Sequence, residues 1–200
     1  MDWTTTTNRP IEKADILPME DYGRLRDQRR RDIAEVKKPR RVAIGPDVTL
    51  YFENFATMLH QVHEMLFVEK GGDEQLADEL AAYNPLIPDG ANLVATLMIE
   101  IPDAARRKRV LKQLVGIESA VAITIGEDVV PALADDDVER TTADGKTSSV
   151  HFLRFHFSSE RIARFRDPAV PVAIRVEHPA YRHATTLSEA TRRSLAADFA

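Results

Sequence analysis

The sequence predicts an α+β protein in which a largely antiparallel mixed sheet is flanked by helices. Stretches of strand and helix character mix without a regular βαβ rhythm. Several connections have the composition of hairpins, among them Gly45-Pro46-Asp47 and Asp144-Gly145. The 200 residues, 44% of them hydrophobic, supply one sizeable core and too little chain for two ordinary domains. Residues 1–15 are therefore expected to be a disordered polar tail, and residues 16–200 a single α+β domain.

After the polar start, Ile16-Leu17-Pro18-Met19 leads into a helix over about residues 20–38, stopped by Pro39. Its Arg24, Arg26, Arg29, Arg30, Arg31, Lys37 and Lys38 are answered, after the first turn, only by Asp27, Asp32 and Glu35. Two readings stay open: a face for phosphate or an anionic partner, or a solvated helix whose buried side is Leu25, Ile33 and Val36. Short strands follow at residues 41–44 and 48–52. The helix over about residues 54–70 places Phe55, Met58, Leu59, Val62, Met65 and Leu66 on one apolar stripe, with Glu69 on the same side. Asp73 is a candidate cap for the next helix, which ends near Tyr83.

Residues 84–90, Asn-Pro-Leu-Ile-Pro-Asp-Gly, form a stiff loop with two prolines. Residues 93–101 read as a central strand, because both faces are largely apolar. A basic helix then opens at Pro102-Asp103, followed by a strand at residues 121–125 and a loop carrying Asp135, Asp136 and Asp137. A long strand at 148–157, a short helix near 159–166, a strand at 172–177 and a final helix capped by Ser188 or Thr186 complete the chain. There is no internal repeat.

Without cysteine, thiolate catalysis, disulfides, zinc-thiolate sites and cysteine-held iron-sulfur clusters are excluded. The net charge of −5 argues against broad nucleic-acid affinity. No apolar run reaches the length of a membrane span and residues 1–10 lack the pattern of a signal peptide, so a cytoplasmic location is expected.

Glu53, His60 and Glu64 fall in one sector opposite the apolar stripe, with His63 one turn from His60. Imidazole and carboxylate at that spacing suit a metal such as iron, manganese or zinc, or an acid-base pair, so His60, His63 and Glu64 are the candidate metal ligands. His151 shares a strand face with Leu153, Phe155 and Phe157, which suits a core histidine as well as a base. Glu100 and Glu69 are the carboxylates expected to be buried, with Lys146, Arg140 and Arg154 as candidate partners. Gly145-Lys146-Thr147-Ser148 lacks the earlier glycine and the following helix of a phosphate-binding loop. The Asp135–Asp137 run reads as a solvated loop rather than a divalent-ion site.

Several phrases together carry a family resemblance: Phe52-Glu53-Asn54, Thr57-Met58, Gln61, Glu64-Met65-Leu66, Tyr83-Asn84-Pro85-Leu86-Ile87-Pro88-Asp89-Gly90, Ala95-Thr96-Leu97-Met98-Ile99-Glu100, Lys146-Thr147-Ser148, Val150-His151-Phe152-Leu153-Arg154 and His178-Pro179-Ala180-Tyr181. From about Ile16 onward the chain resembles the bacterial domain-of-unknown-function family 3501. The resemblance implies, through genomic association only, a companion of rubrerythrin-type or iron-sulfur oxidoreductase proteins in peroxide defence or electron transfer.

Three functions are carried forward: a redox accessory protein; an enzyme or ligand-binding protein; and an anion or nucleic-acid module using the arginines between residues 24 and 41. The second would use His151, Glu64, Glu100, Lys146 and Arg154 for catalysis and Glu53, Gln61, Tyr83, Asn84 and Asp89 for ligand binding.

Overall fold

The computed structural model describes residues 3–4, 7–134 and 145–200. In chain order its elements are α1 (Met19–Lys37), β1 (Arg41–Ile44), β2 (Val48–Glu53), α2 (Phe55–Glu69), α3 (Gly72–Tyr83), β3 (Asn92–Ile99), α4 (Ala104–Gln113), β4 (Val121–Ile125) and β5 (Asp128–Pro131). There follow β6 (Leu133–Ala134), β7 (Val150–His156), α5 (Ser159–Arg166), β8 (Val172–His178), β9 (Tyr181–Thr186) and α6 (Glu189–Ala196). The class is α+β, as the mixed periodicity predicts.

The strands form two sheets rather than one, in the orders β1-β2-β3-β7-β6 and β5-β4-β8-β9. Every pairing among them is antiparallel. The second sheet escapes a sequence reading because β5 is short and only Tyr181 of β9 is buried. Strand alternation sends Leu50 and Phe52 of β2, Leu93, Ala95 and Leu97 of β3 and Leu153 and Phe155 of β7 toward Val121, Ile123, Ile174 and Val176 of the second sheet. Phe165, Leu195 and Phe199 close the end of this core, with Phe157 edge-on to Phe165 and Phe199.

The opposite face of the first sheet carries a second, smaller core. Phe55, Met58, Leu59 and Val62 of α2 pack with Val94 and Phe152, while Leu76 of α3 and Leu86 and Ile87 join from the side. Because α1 lies across α2 as well, α2 is enclosed on two sides, so His60 and His63 are buried along with the apolar stripe. On α1 the inward stripe is Tyr22, Arg26, Arg29 and Ile33, and the expected core residue Leu25 is exposed. Arg26 and Arg29 serve there because their planes stack on Phe67 and Trp3, at 4.9 and 4.3 Å from the ring centres.

Asn54 caps α2 reciprocally with Thr57, and Asp103, Ser158 and Ser188 cap α4, α5 and α6. Asp73 caps nothing; α3 starts one residue earlier, at Gly72. The packed chain begins before residue 16. Ile11 is 2% exposed, and the Asn84 side chain accepts from the Ile11 N–H at 2.8 Å and donates to its carbonyl at 3.1 Å.

Two polar clasps fasten distant parts of the chain. Arg40, buried in the short turn between α1 and β1, gives Nε to the Phe52 carbonyl, the two terminal nitrogens to both oxygens of Asp198, and further bonds to the Glu53 and Ser194 carbonyls. Burial pushes the Asp198 carboxyl up against the opposing pull of Arg40. At the far end, the Tyr181 hydroxyl donates to the Ile44 carbonyl and accepts from the Asp47 and Val48 N–H groups. Gly45 in that turn has φ +70, and a Cβ there would lie 2.5 Å from the His183 ring.

Candidate functional site

His63 is committed to the scaffold. Its Nε2 accepts the Leu17 N–H at 3.0 Å, which leaves Nδ1 to donate to the Leu59 carbonyl at 2.8 Å. The ring stacks on Tyr22 at 4.7 Å, and burial brings its pKa down to about 4. Glu64 receives two bonds from Arg26, at 2.8 and 2.9 Å, and one from the Tyr22 hydroxyl at 2.6 Å. Arg26, then Tyr22, hold that carboxyl down at about 2, while burial pushes the Tyr22 phenol up. His60 is also buried, which brings it to about 4, and its Nδ1 has no hydrogen-bond partner among the described residues.

The expected metal trio of His60, His63 and Glu64 is therefore corrected, because both His63 nitrogens and both Glu64 oxygens are occupied by neighbours. Among the described residues no group of three or more His, Asp or Glu side chains is arranged to hold a metal ion.

The proposed catalytic set does not assemble either. Register places His151 opposite Leu97, facing the inter-sheet core, and Glu53 opposite Val94, facing outward. His151 Nε2 lies 2.9 Å from the Ser148 carbonyl and 3.3 Å from Thr147 Oγ1, and its Nδ1 is 3.6 Å from Glu118. Arg154, on the outward face, reaches the Pro85 carbonyl at 2.5 Å, and Lys146 is half-buried ahead of β7.

Glu100 and Glu69 are exposed; among the described residues the buried carboxylates are Glu53, Asp47 and Asp198. Glu53 accepts from Thr57 and Thr96, at 2.7 and 2.8 Å, and Asp47 is bridged by Arg106. Thr49, Tyr51 and Arg41 hold Glu100 below its ordinary value. Glu53 and Glu100 do share a groove of about 340 Å³ with Lys37, Tyr51, Thr96 and Met98. Arg140 and the Asp135–Asp137 run lie outside the described residues.

The remaining candidates around the proline loop build a clamp. Gln61 reaches the Tyr83 hydroxyl at 3.4 Å, Asn84 brackets Ile11, and Asp89 accepts from the Ala91 N–H while its own N–H donates to Asn92. Gly90 receives the Ala200 N–H at its carbonyl. Of the arginines expected to form an anion-binding face, Arg26, Arg40 and Arg41 already hold Glu64, Asp198 and Glu100, and Arg24 holds Glu20 and Asp21.

A site that sequence reasoning passes over lies beside this clamp. Residues 13–19 run as a strap past the end of α2 and the start of α3, and between them lies a half-open apolar cavity of about 530 Å³. Ile16, Leu17 and Met19 line it from the strap and Leu66, Phe67 and Leu76 from the helices, and the charged residues of the lining are Lys13, Lys70 and Asp73. The strap is tied at three points: Ile11 to Asn84, Leu17 to His63, and Lys13 to Asp73 at 2.9 Å. The signals were present: an unbroken Ile-Leu-Pro-Met run ahead of a helix, and a lysine where Gly71 and Gly72 show that the chain is turning.

The architecture so defined is an α+β protein with two antiparallel sheets and a half-open apolar cavity lined on one side by the strap. The chain belongs to the family described as Protein of unknown function (DUF3501), which it matches over residues 10–199. It is also similar to a crystal structure titled as a novel protein of unknown function from Burkholderia pseudomallei K96243. That likeness has 38% identity and a TM-score of 0.89, over 96% of this chain and 100% of the other. No curated protein matches. Neither match names a rubrerythrin or an oxidoreductase. Among the described residues no helix is long and apolar enough to cross a membrane.

Proposed function

We propose that this protein is an accessory protein that binds a small hydrophobic ligand in the cavity beside the strap. The observation that carries this reading is the cavity: about 530 Å³, walled by aliphatic and aromatic side chains, and bounded by a segment whose anchors at Asn84 and His63 are not among its lining residues. A volume within the roughly 300–1,000 Å³ of small-molecule sites, with a largely apolar wall and few polar groups, suits a ligand held by burial and oriented at one end.

The test is titration with decanol, followed by calorimetry and by methyl NMR of Met19, Leu66 and Leu76. Saturable binding at one site, with shifts confined to those methyls, supports the reading. Leu66→Trp, which fills the cavity, is expected to abolish binding while the circular dichroism stays that of the wild type. Absence of saturable binding would sink the proposal.

The setting we propose for this binding is the one the family resemblance implies, a cytoplasmic rubrerythrin-like or iron-sulfur oxidoreductase partner that supplies the redox chemistry. Failure to co-purify with either, together with unchanged peroxide sensitivity on deletion, counts against that setting.

A further inference from the structure

We infer that the ligand of the strap cavity is a single aliphatic chain ending in a carboxylate, with Lys70 as the residue that selects the anionic end. This deepens the cavity reading and rests on it.

Lys70 is the one non-glycine residue with positive φ among those described, at φ 59 and ψ 32. It ends α2 in the left-handed conformation, where its N–H closes onto the Leu66 carbonyl, a position that glycine fills at far less steric cost. Glycines occupy the next two positions, yet the strained position itself is a lysine. Strain of this kind clusters at ligand sites, where the surrounding structure holds it. Here the strained residue lines the apolar cavity and is cationic.

The charge balance of the site points the same way. Its ionic lining residues are Lys13, Lys70 and Asp73, an excess of one positive charge. Asp73 is engaged by Lys13, in a pair whose two side chains are 83% and 71% exposed, and such pairs are held weakly. Lys70 makes no ion pair among the described residues. An apolar trough with an uncompensated ammonium at its border is complementary to an aliphatic tail with an anionic head, and discriminates against a cationic one.

The experiment compares decanoate, decanol and decyltrimethylammonium by calorimetry at low salt, at concentrations where each is monomeric. Decanoate is expected to bind about tenfold tighter than decanol, the ammonium ligand least. Lengthening the carboxylate is expected to tighten binding about fourfold per methylene until the cavity is full. Lys70→Gly should erase the preference for decanoate over decanol and raise the folding equilibrium constant about tenfold, read from the urea midpoint. Lys70→Arg should keep the preference. Asp73→Asn, which frees Lys13, should strengthen decanoate binding several-fold.

Equal affinity for decanoate and decanol overturns the inference and leaves the cavity reading standing; no binding of either overturns both. Binding to anionic vesicles without binding of monomeric decanoate also overturns it, because the anionic group would then belong to a lipid surface.

Discussion

Replacing Asn84 by alanine tests whether the strap is fastened as the structure shows. The amide makes two hydrogen bonds to the backbone of Ile11, and each contributes about 1 kcal/mol net. The loss is therefore about 2 kcal/mol, roughly a thirtyfold change in an equilibrium constant. Ile11 keeps its apolar burial, which contributes about 1.5–3 kcal/mol, so the strap stays mostly seated. Hydrogen exchange at Leu17, whose N–H is held by His63, reports strap opening directly. Its protection should fall about thirtyfold. Because the closed form still predominates, ligand affinity should change little, since it scales with the population competent to bind. Leu17 protection within about twofold of the wild type would refute the assignment of Asn84 as the strap's anchor.

Two further perturbations probe the framework. Asp198→Ala leaves the buried Arg40 guanidinium without its carboxylate and should cost about 3–5 kcal/mol in urea unfolding. Arg40→Met strips a donor from three backbone carbonyls at about 1 kcal/mol each and strands Asp198, and the double variant should cost little more than Arg40→Met alone. Single costs that simply add within about 0.5 kcal/mol would show that the two residues are not coupled. Acid should loosen the α1–α2 layer in two stages. His60 and His63 have folded pKa values of about 4 against 6.5, so the unfolded chain takes up protons first and stability is lost as pH falls from 6.5 to 4, on the order of 3 kcal/mol per ring. Glu64, held at about 2 against 4.5, adds a loss as pH falls from 4.5 toward 2. His60→Leu, which removes a ring whose Nδ1 has no partner, should roughly halve the first stage; urea midpoints that stay flat between 6.5 and 4 would contradict both histidine assignments.

The parts of the fold legible in the sequence are those whose periodicity is set by a single buried face. The central strand β3, the alternation that turns His151, Leu153 and Phe155 inward, and the apolar stripe of α2 follow from residue spacing alone. The second sheet does not, because its edge strand β9 shows the core little more than Tyr181. α1 misleads for a different reason: Arg26 and Arg29 occupy its buried side by stacking on aromatic rings, a use of arginine that a hydrophobic stripe cannot reveal. The candidate site fared worse. His60, His63 and Glu64 have the spacing of ligands, but only the packed α1 and strap show that Tyr22 and Arg26 have claimed Glu64 and Leu17 has claimed His63.

What the spacing hides is long-range clasping, and it decides where a ligand can go. Asn84 holds Ile11 across 73 residues, Gly90 of the same loop holds Ala200, and Asp198, two residues from that contact, is gripped by Arg40 between β2 and α6. The 84–90 loop thus joins the strap to the C-terminal segment, and Arg40 joins that segment to the start of α2, the helix whose other end carries Leu66, Phe67 and Lys70. Both walls of the cavity are consequently referenced to one connected frame. A trough built this way is preorganised: its shape is maintained by contacts that a ligand does not need to form, so more of the apolar burial on binding is available as affinity. The two-proline loop that reads locally as a corner is therefore one of the ties that hold the strap to this frame, beside the Leu17–His63 and Lys13–Asp73 contacts.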